Sequence, residues 1–124
     1  MELRGNSGAL IWRLEVANSW LSRLRGLIGR SELRQGEGLF MPGTNGVHML
    51  FMRFAIDCLF LGPLRADGTR QVVAVRERLG PWRGIVWWVR GARAAVEVGA
   101  GAIATAGLRP GDAVKLHDTD AKRP

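Results

Sequence analysis

The sequence predicts an α+β fold, a compact β-rich domain whose mostly antiparallel sheet curls towards a barrel. Three observations carry that expectation. Short runs rich in Val, Ile, Leu and Phe recur too closely for long helices to fit between them. Gly-, Pro- and Asp-containing turn signals separate these runs. One segment shows strong helical periodicity, and a second, shorter one tolerates a helix.

The elements follow in order. Leu10, Trp12, Leu14 and Val16 alternate with Ile11, Arg13 and Glu15, the period of a half-buried strand. Asn18-Ser19 offers an N-cap to an amphipathic N-terminal helix. Trp20, Leu21, Leu24, Leu27 and Ile28 form its core stripe, and Gly29 stops it. Gly36-Glu37-Gly38 is a turn, Leu39-Phe40-Met41 a short strand, and Pro42 to Gly46 a loop. Residues 47–61 read as strand, apolar on both faces, and Gly62-Pro63 ends the run. Asp67-Gly68 is a hairpin turn into a strand at 72–75. Strands are also expected at 85–89, 94–98 and 114–116, with a short second helix over 100–106 closed by Gly107. Residues 1–117 are expected to form one domain, and 118–124 a frayed tail.

The totals bound the function. The chain has 124 residues, enough for one core without staples. It holds one cysteine, Cys58, which excludes an internal disulfide and agrees with a reducing compartment. No apolar run reaches the length of a membrane span, and the N-terminus lacks the apolar centre of a signal peptide. A cytoplasmic location with no membrane partner is expected, as a monomer or weak oligomer. The net charge is +7, and arginine outnumbers lysine sixteen to two. A positive field attracts nucleic acid or anionic ligands, but these charges are scattered, as on a solvated basic surface.

The most informative stretch is the apolar run at 46–61, which also carries His48, Arg53 and Asp57. Polar groups inside such a run must be paired, solvated at a rim, or used. If Met52-Arg53 formed a tight hairpin tip, His48 would face Asp57 across the ladder, about 5 Å apart at Cβ. Met-Arg lacks the chemistry of a tight turn, so a wider loop and another register fit equally well. Arg53 suits either an anion clamp or a surface cation with a packed stem. Trp82 and Arg83 sit on a Pro-Gly loop, where aromatic and guanidinium groups can stack on sugars or bases. Cys58, in an apolar strand, reads as buried filler and not as a nucleophile. His48 and His117 have no ligand spacing, so no metal site is expected, and no phosphate loop, dinucleotide fingerprint or nucleophile elbow occurs.

Several ordered motifs resemble those of the domain of unknown function 192 family. Arg25-Gly26-Leu27-Ile28-Gly29-Arg30 is similar to its R-G-L-M-G-R signature, and Gly38-Leu39-Phe40 to its G-x-L-F strand. Residues 47–57 are similar to its V-H-T-x-F-M-R-F-P-I-D motif. Pro81-Trp82-Arg83, Gly91-Ala92-Arg93-Ala94 and Gly111-Asp112 follow in the family's order. Ala55 stands where proline is usual, and Met49 where a small polar residue is. The resemblance implies a compact β-rich α+β fold and no established activity.

The leading functional expectation is non-catalytic binding of a small anionic or polar ligand, a carbohydrate among the possibilities. Its contacts would be His48, Arg53 and Asp57, with Trp82, Arg83 and Arg93 at the rim. Nucleic-acid binding by the arginines is the first alternative. A hydrolase or isomerase using His48 and Asp57 as an acid–base pair is the second. No cofactor is implied.

Overall fold

The computed structural model describes residues 1–16, 35–44, 55–80 and 89–118, together with the backbone of 47–48 and 85–86. In chain order the elements are β1 (Glu2–Gly5), β2 (Leu10–Val16), β3 (Glu37–Pro42), β4 (Val47–His48) and β5 (Ile56–Leu61). There follow β6 (Arg70–Leu79), β7 (Ile85–Val86), β8 (Ala94–Gly99), α1 (Ala102–Ala106) and β9 (Ala113–His117).

Seven strands close a barrel in the order β1-β2-β3-β8-β5-β6-β9, and β9 returns to β1 through Leu3↔Leu116 and its neighbours. Every ladder in it is antiparallel except β2–β3, where Arg13↔Glu37 to Val16↔Phe40 run parallel. Parallel neighbours need a crossover of a dozen or more residues, and the connection through 17–36 is long enough to supply one. β4 and β7 form a separate two-stranded ribbon.

The barrel has two apolar layers. Its interior takes a side chain from every strand: Leu3, Trp12 and Leu14, Phe40, Val96 and Val98, Leu59 and Leu61, Val72, and Val114. A second cluster lies on the outer side of β3, β8, β5 and β6, where Leu39, Met41, Ile56, Cys58, Phe60 and Ala95 pack with Val89 and Ala92. β5 belongs to both, so all six of its residues are buried. The continuous apolar run there has its physical reason in this double cover.

Gly38 marks the closest approach of three strands. A Cβ there would lie 2.7 Å from the Glu97 carbonyl oxygen and 2.9 Å from Leu14 Cδ2. The turn at Asp67-Gly68 forms as expected. The Asp67 carboxylate accepts hydrogen bonds from the Thr69 N–H (3.0 Å) and hydroxyl (2.6 Å), which holds its pKa below the ordinary carboxylate value.

The described architecture is mostly β. Its one helix is the short α1, within the segment read as 100–106, and Gly107 ends it with φ 71° while donating to Ile103 and Ala104. The amphipathic helix expected from Asn18 to Gly29 falls outside the described residues, as do residues 119–124 of the expected tail. β1 was not foreseen. Glu-Leu-Arg-Gly carries one apolar residue, too few for a period, yet Leu3 is fully buried because β1 closes the barrel.

Candidate functional site

Asp57 is the polar residue of the central run whose surroundings are most fully defined. It sits near the start of β5, fully buried, on the side that faces the barrel interior. Its Oδ1 accepts the Arg78 N–H at 2.8 Å, and its Oδ2 accepts the N–H groups of Gly101 (2.9 Å) and Ile103 (3.2 Å). Three backbone donors on one carboxylate replace its water shell and tie β5 to β6 and to the first turn of α1. Asp57 is therefore a structural clamp at one end of the barrel.

The pairing imagined between His48 and Asp57 is not made. His48 pairs with Ile85 in the β4–β7 ribbon, whereas Asp57 pairs with Val98 of β8. The tight hairpin that would have opposed them requires β4 beside β5, and β5 instead lies between β6 and β8. β5 is held on both edges, so no edge remains for β4.

Arg93 also stands apart from Asp57. It is exposed, its N–H donates to the Leu61 carbonyl and its own carbonyl accepts the Gly43 N–H, both at 2.8 Å. Leu61 is the last residue of β5, so Arg93 and Asp57 are separated by about 13 Å along the strand. Arg53, Trp82 and Arg83 lie outside the described residues, as does the His48 side chain. The ribbon does join two segments singled out separately, because Val47↔Val86 and His48↔Ile85 bring the His48 segment beside the strand that Trp82 and Arg83 lead into.

A second polar feature was not anticipated. Glu97 of β8 is fully buried on the outer side of the barrel, with Leu39 as its partner on β3 and Cys58 on β5. Cys58 in turn pairs with Arg76 of β6, which is exposed and donates from Nη1 to the Val75 carbonyl at 2.9 Å. One row across four strands thus reads Leu39, Glu97, Cys58, Arg76. Cys58 is buried among apolar neighbours, as its sequence context implied. Glu97 alternates with Ala95 and Gly99 opposite a Val96-Val98 face, which reads as an ordinary solvent-facing position. Only the second apolar layer makes it a buried one.

Among the described residues no group of three or more His, Cys, Asp or Glu side chains is placed to hold a metal ion. No described helix is long and apolar enough to cross a membrane.

Fold and site define a small closed β-barrel domain with polar groups buried on both sides of its central strand, one clamped and one on a covered outer face. The chain belongs to the domain of unknown function 192 family, described as "Uncharacterized ACR", whose model matches residues 2–116. No curated protein matches the chain. Among solved structures it is similar to a putative transcription regulator from Sinorhizobium meliloti, with 22% identity and TM-score 0.72, covering 92% of this chain and 89% of that one. It is also similar to a protein of unknown function from Novosphingobium aromaticivorans, with 25% identity and TM-score 0.73, covering 93% and 82%. The first of these likenesses concerns the fold alone.

Proposed function

We propose that the domain binds a small anionic or polar ligand without catalysing its conversion, and that the β4–β7 ribbon organises the site. The observation that carries this reading is the pairing of His48 with Ile85, which makes neighbours of two distant segments rich in binding chemistry. One supplies His48 and Arg53, and the other Trp82 and Arg83. A guanidinium beside an aromatic ring suits an anion or a sugar. Arg93 belongs to the rim. Asp57 acts through the frame, since its oxygens are committed to backbone donors.

The acid–base alternative loses its basis, because His48 and Asp57 belong to different ladders. Nucleic-acid binding draws little support from the barrel, whose described residues carry nearly balanced charge. The excess positive charge lies largely in Arg23, Arg25, Arg30, Arg34, Arg53 and Arg83, outside them.

A thermal-shift and tryptophan-fluorescence screen with anions, sugars and short oligonucleotides, at low and moderate salt, tests the reading. A saturable response to one small-molecule class, lost in Arg53→Ala and in Arg83→Ala, is the expected result. A response to oligonucleotides alone, fading steeply with salt, would replace it with the nucleic-acid reading.

A further inference from the structure

We infer that the ligand carries two or more linked phosphates, and that Arg65, Arg70, Arg90 and Arg93 receive them at the rim of the barrel beside Gly62. This deepens the reading of the ribbon and rests on it in one respect, that Arg93 belongs to the site.

Several segments converge on the end of β5. The Arg93 N–H donates to the Leu61 carbonyl and the Gly62 N–H to the Gln71 carbonyl, both at 2.8 Å. A Cβ on Gly62 would stand 3.8 Å from the Gly91 carbonyl oxygen, so the turn at 89–92 lies over this glycine. The Ala92 N–H closes that turn on the Val89 carbonyl, and Gly91 takes φ 83°, which sets Arg90 at the exposed tip. Val89 and Ala92 are buried in the outer apolar layer, so the turn is anchored.

Each of these segments carries an arginine. Arg70 donates from Nη1 to the Gly62 carbonyl at 3.0 Å, and Arg65 from Nη2 to Gln71 Oε1 at 2.7 Å. Both acceptors are neutral, so the side chains are positioned while their charges stay uncompensated. Arg90 and Arg93 are exposed, and among the described residues no ion pair engages any of the four. Two carboxylates stand nearby. Asp67 feels the charge of Arg65 and commits Oδ1 to Thr69, and the Oδ2 of Asp112 accepts the Arg109 N–H. Glu2, Glu15 and Glu37 gather beside Gly38, at the other end of β3.

The ribbon is rooted at the same rim. The Gly43 N–H donates to the Arg93 carbonyl four residues before Val47, and Val86 precedes Val89 by three. The rung Val47↔Val86 is therefore the one nearest to Arg90 and Arg93 along the chain. Charge complementarity selects the ligand class. One guanidinium satisfies a lone carboxylate, whereas several around one rim suit a group that presents successive charged oxygens. Phosphate oxygens match a guanidinium in two parallel hydrogen bonds.

The test compares tripolyphosphate, orthophosphate, triglutamate and a short oligothymidylate by titration calorimetry, with amide shifts of Gly62, Gly91 and Arg93 reporting location. Tripolyphosphate is expected to bind tightest, with orthophosphate and triglutamate each roughly tenfold or more weaker. Arg90→Gln and Arg93→Gln keep every backbone bond, so both fold with an undiminished Tm, and each should weaken tripolyphosphate roughly fivefold or more. Arg76→Gln removes the same charge beside Cys58, four residues from Gly62, and should change binding by no more than about twofold. Equal losses in Arg76→Gln and Arg93→Gln, or equal affinity for triglutamate, would reduce the effect to net charge and overturn the assignment. Tighter binding of the oligothymidylate would overturn it in favour of nucleic acid. A saturable sugar or carboxylate response with none to tripolyphosphate would overturn it while leaving the ribbon reading in place. Tripolyphosphate binding that survives Arg53→Ala and fails in Arg93→Gln would support the rim and remove Arg53 from the site.

Discussion

The two sides of β5 treat buried polar groups differently. On the inner side Asp57 has its carboxylate filled by three backbone N–H groups, in a core that every strand of the barrel helps to enclose. On the outer side Cys58, with Glu97 beside it on β8, sits in a cluster to which, among the described residues, four strands and the Val89–Ala92 turn contribute. The inner side is closed by the fold itself. On the outer side the described cover is the Val89–Ala92 turn. Asp57 on the first is a structural part of the barrel, whereas Glu97 on the second is a charged residue buried beside an apolar layer.

The strongest way to break that comparison is Asp57→Ala. Removing the carboxylate orphans the N–H groups of Arg78, Gly101 and Ile103, the last of them buried, and leaves a cavity at a fully buried position, so the expected loss is roughly 4 kcal/mol. Denaturant unfolding measures it, and a loss under about 1 kcal/mol would mean that water replaces the clamp. Next is the pair Leu59→Ala and Cys58→Ala, neighbours on opposite sides of the strand. Leu59 leaves a cavity in an enclosed core, costing about 3 kcal/mol, whereas Cys58 loses a single sulfur, costing about 1 kcal/mol. Equal losses would show that the thiol does more than fill space.

Gly38→Ala sharpens the picture of the closed side. Its new methyl would meet the Glu97 carbonyl backbone at 2.7 Å, so strands must move, and an expected loss of about 2 kcal/mol follows from overpacking. The smallest effect belongs to Asp67→Ala, far from both layers. Folding lowers the Asp67 pKa through its bonds to Thr69. Its stabilisation is therefore fully present above the ordinary value of 3.8 and fades as pH falls through the lowered one. Melting curves of the two proteins should differ slightly at neutral pH and converge in strong acid.

Several parts of this molecule were legible in the residues. β2 follows from local alternation, β3, β8 and β9 from short strand-prone runs, and the turn at Asp67-Gly68 from its own chemistry. The burial of β5 on both sides follows from its unbroken apolar run. The family resemblance, over nearly everything from about Asn18 to Leu116, also holds, within the matched region 2–116. The site was less legible. Asp57 was marked as unusual, yet its partners Arg78, Gly101 and Ile103 come from elements far along the chain. Nothing local marks Glu97 as buried or the Arg78 N–H as a partner of Asp57, because a glutamate in a short strand and an arginine in a basic stretch are ordinary locally.

By itself the sequence determined which segments extend, where most of them turn, and that the central run is interior, because these depend on near-neighbour periodicity and turn chemistry. Only the tertiary structure decided which strands meet, that β1 completes a barrel, and that His48 goes to β7 while Asp57 goes to β8. Cross-strand partners are set by closure of the whole sheet, and closure is a property of all seven strands at once.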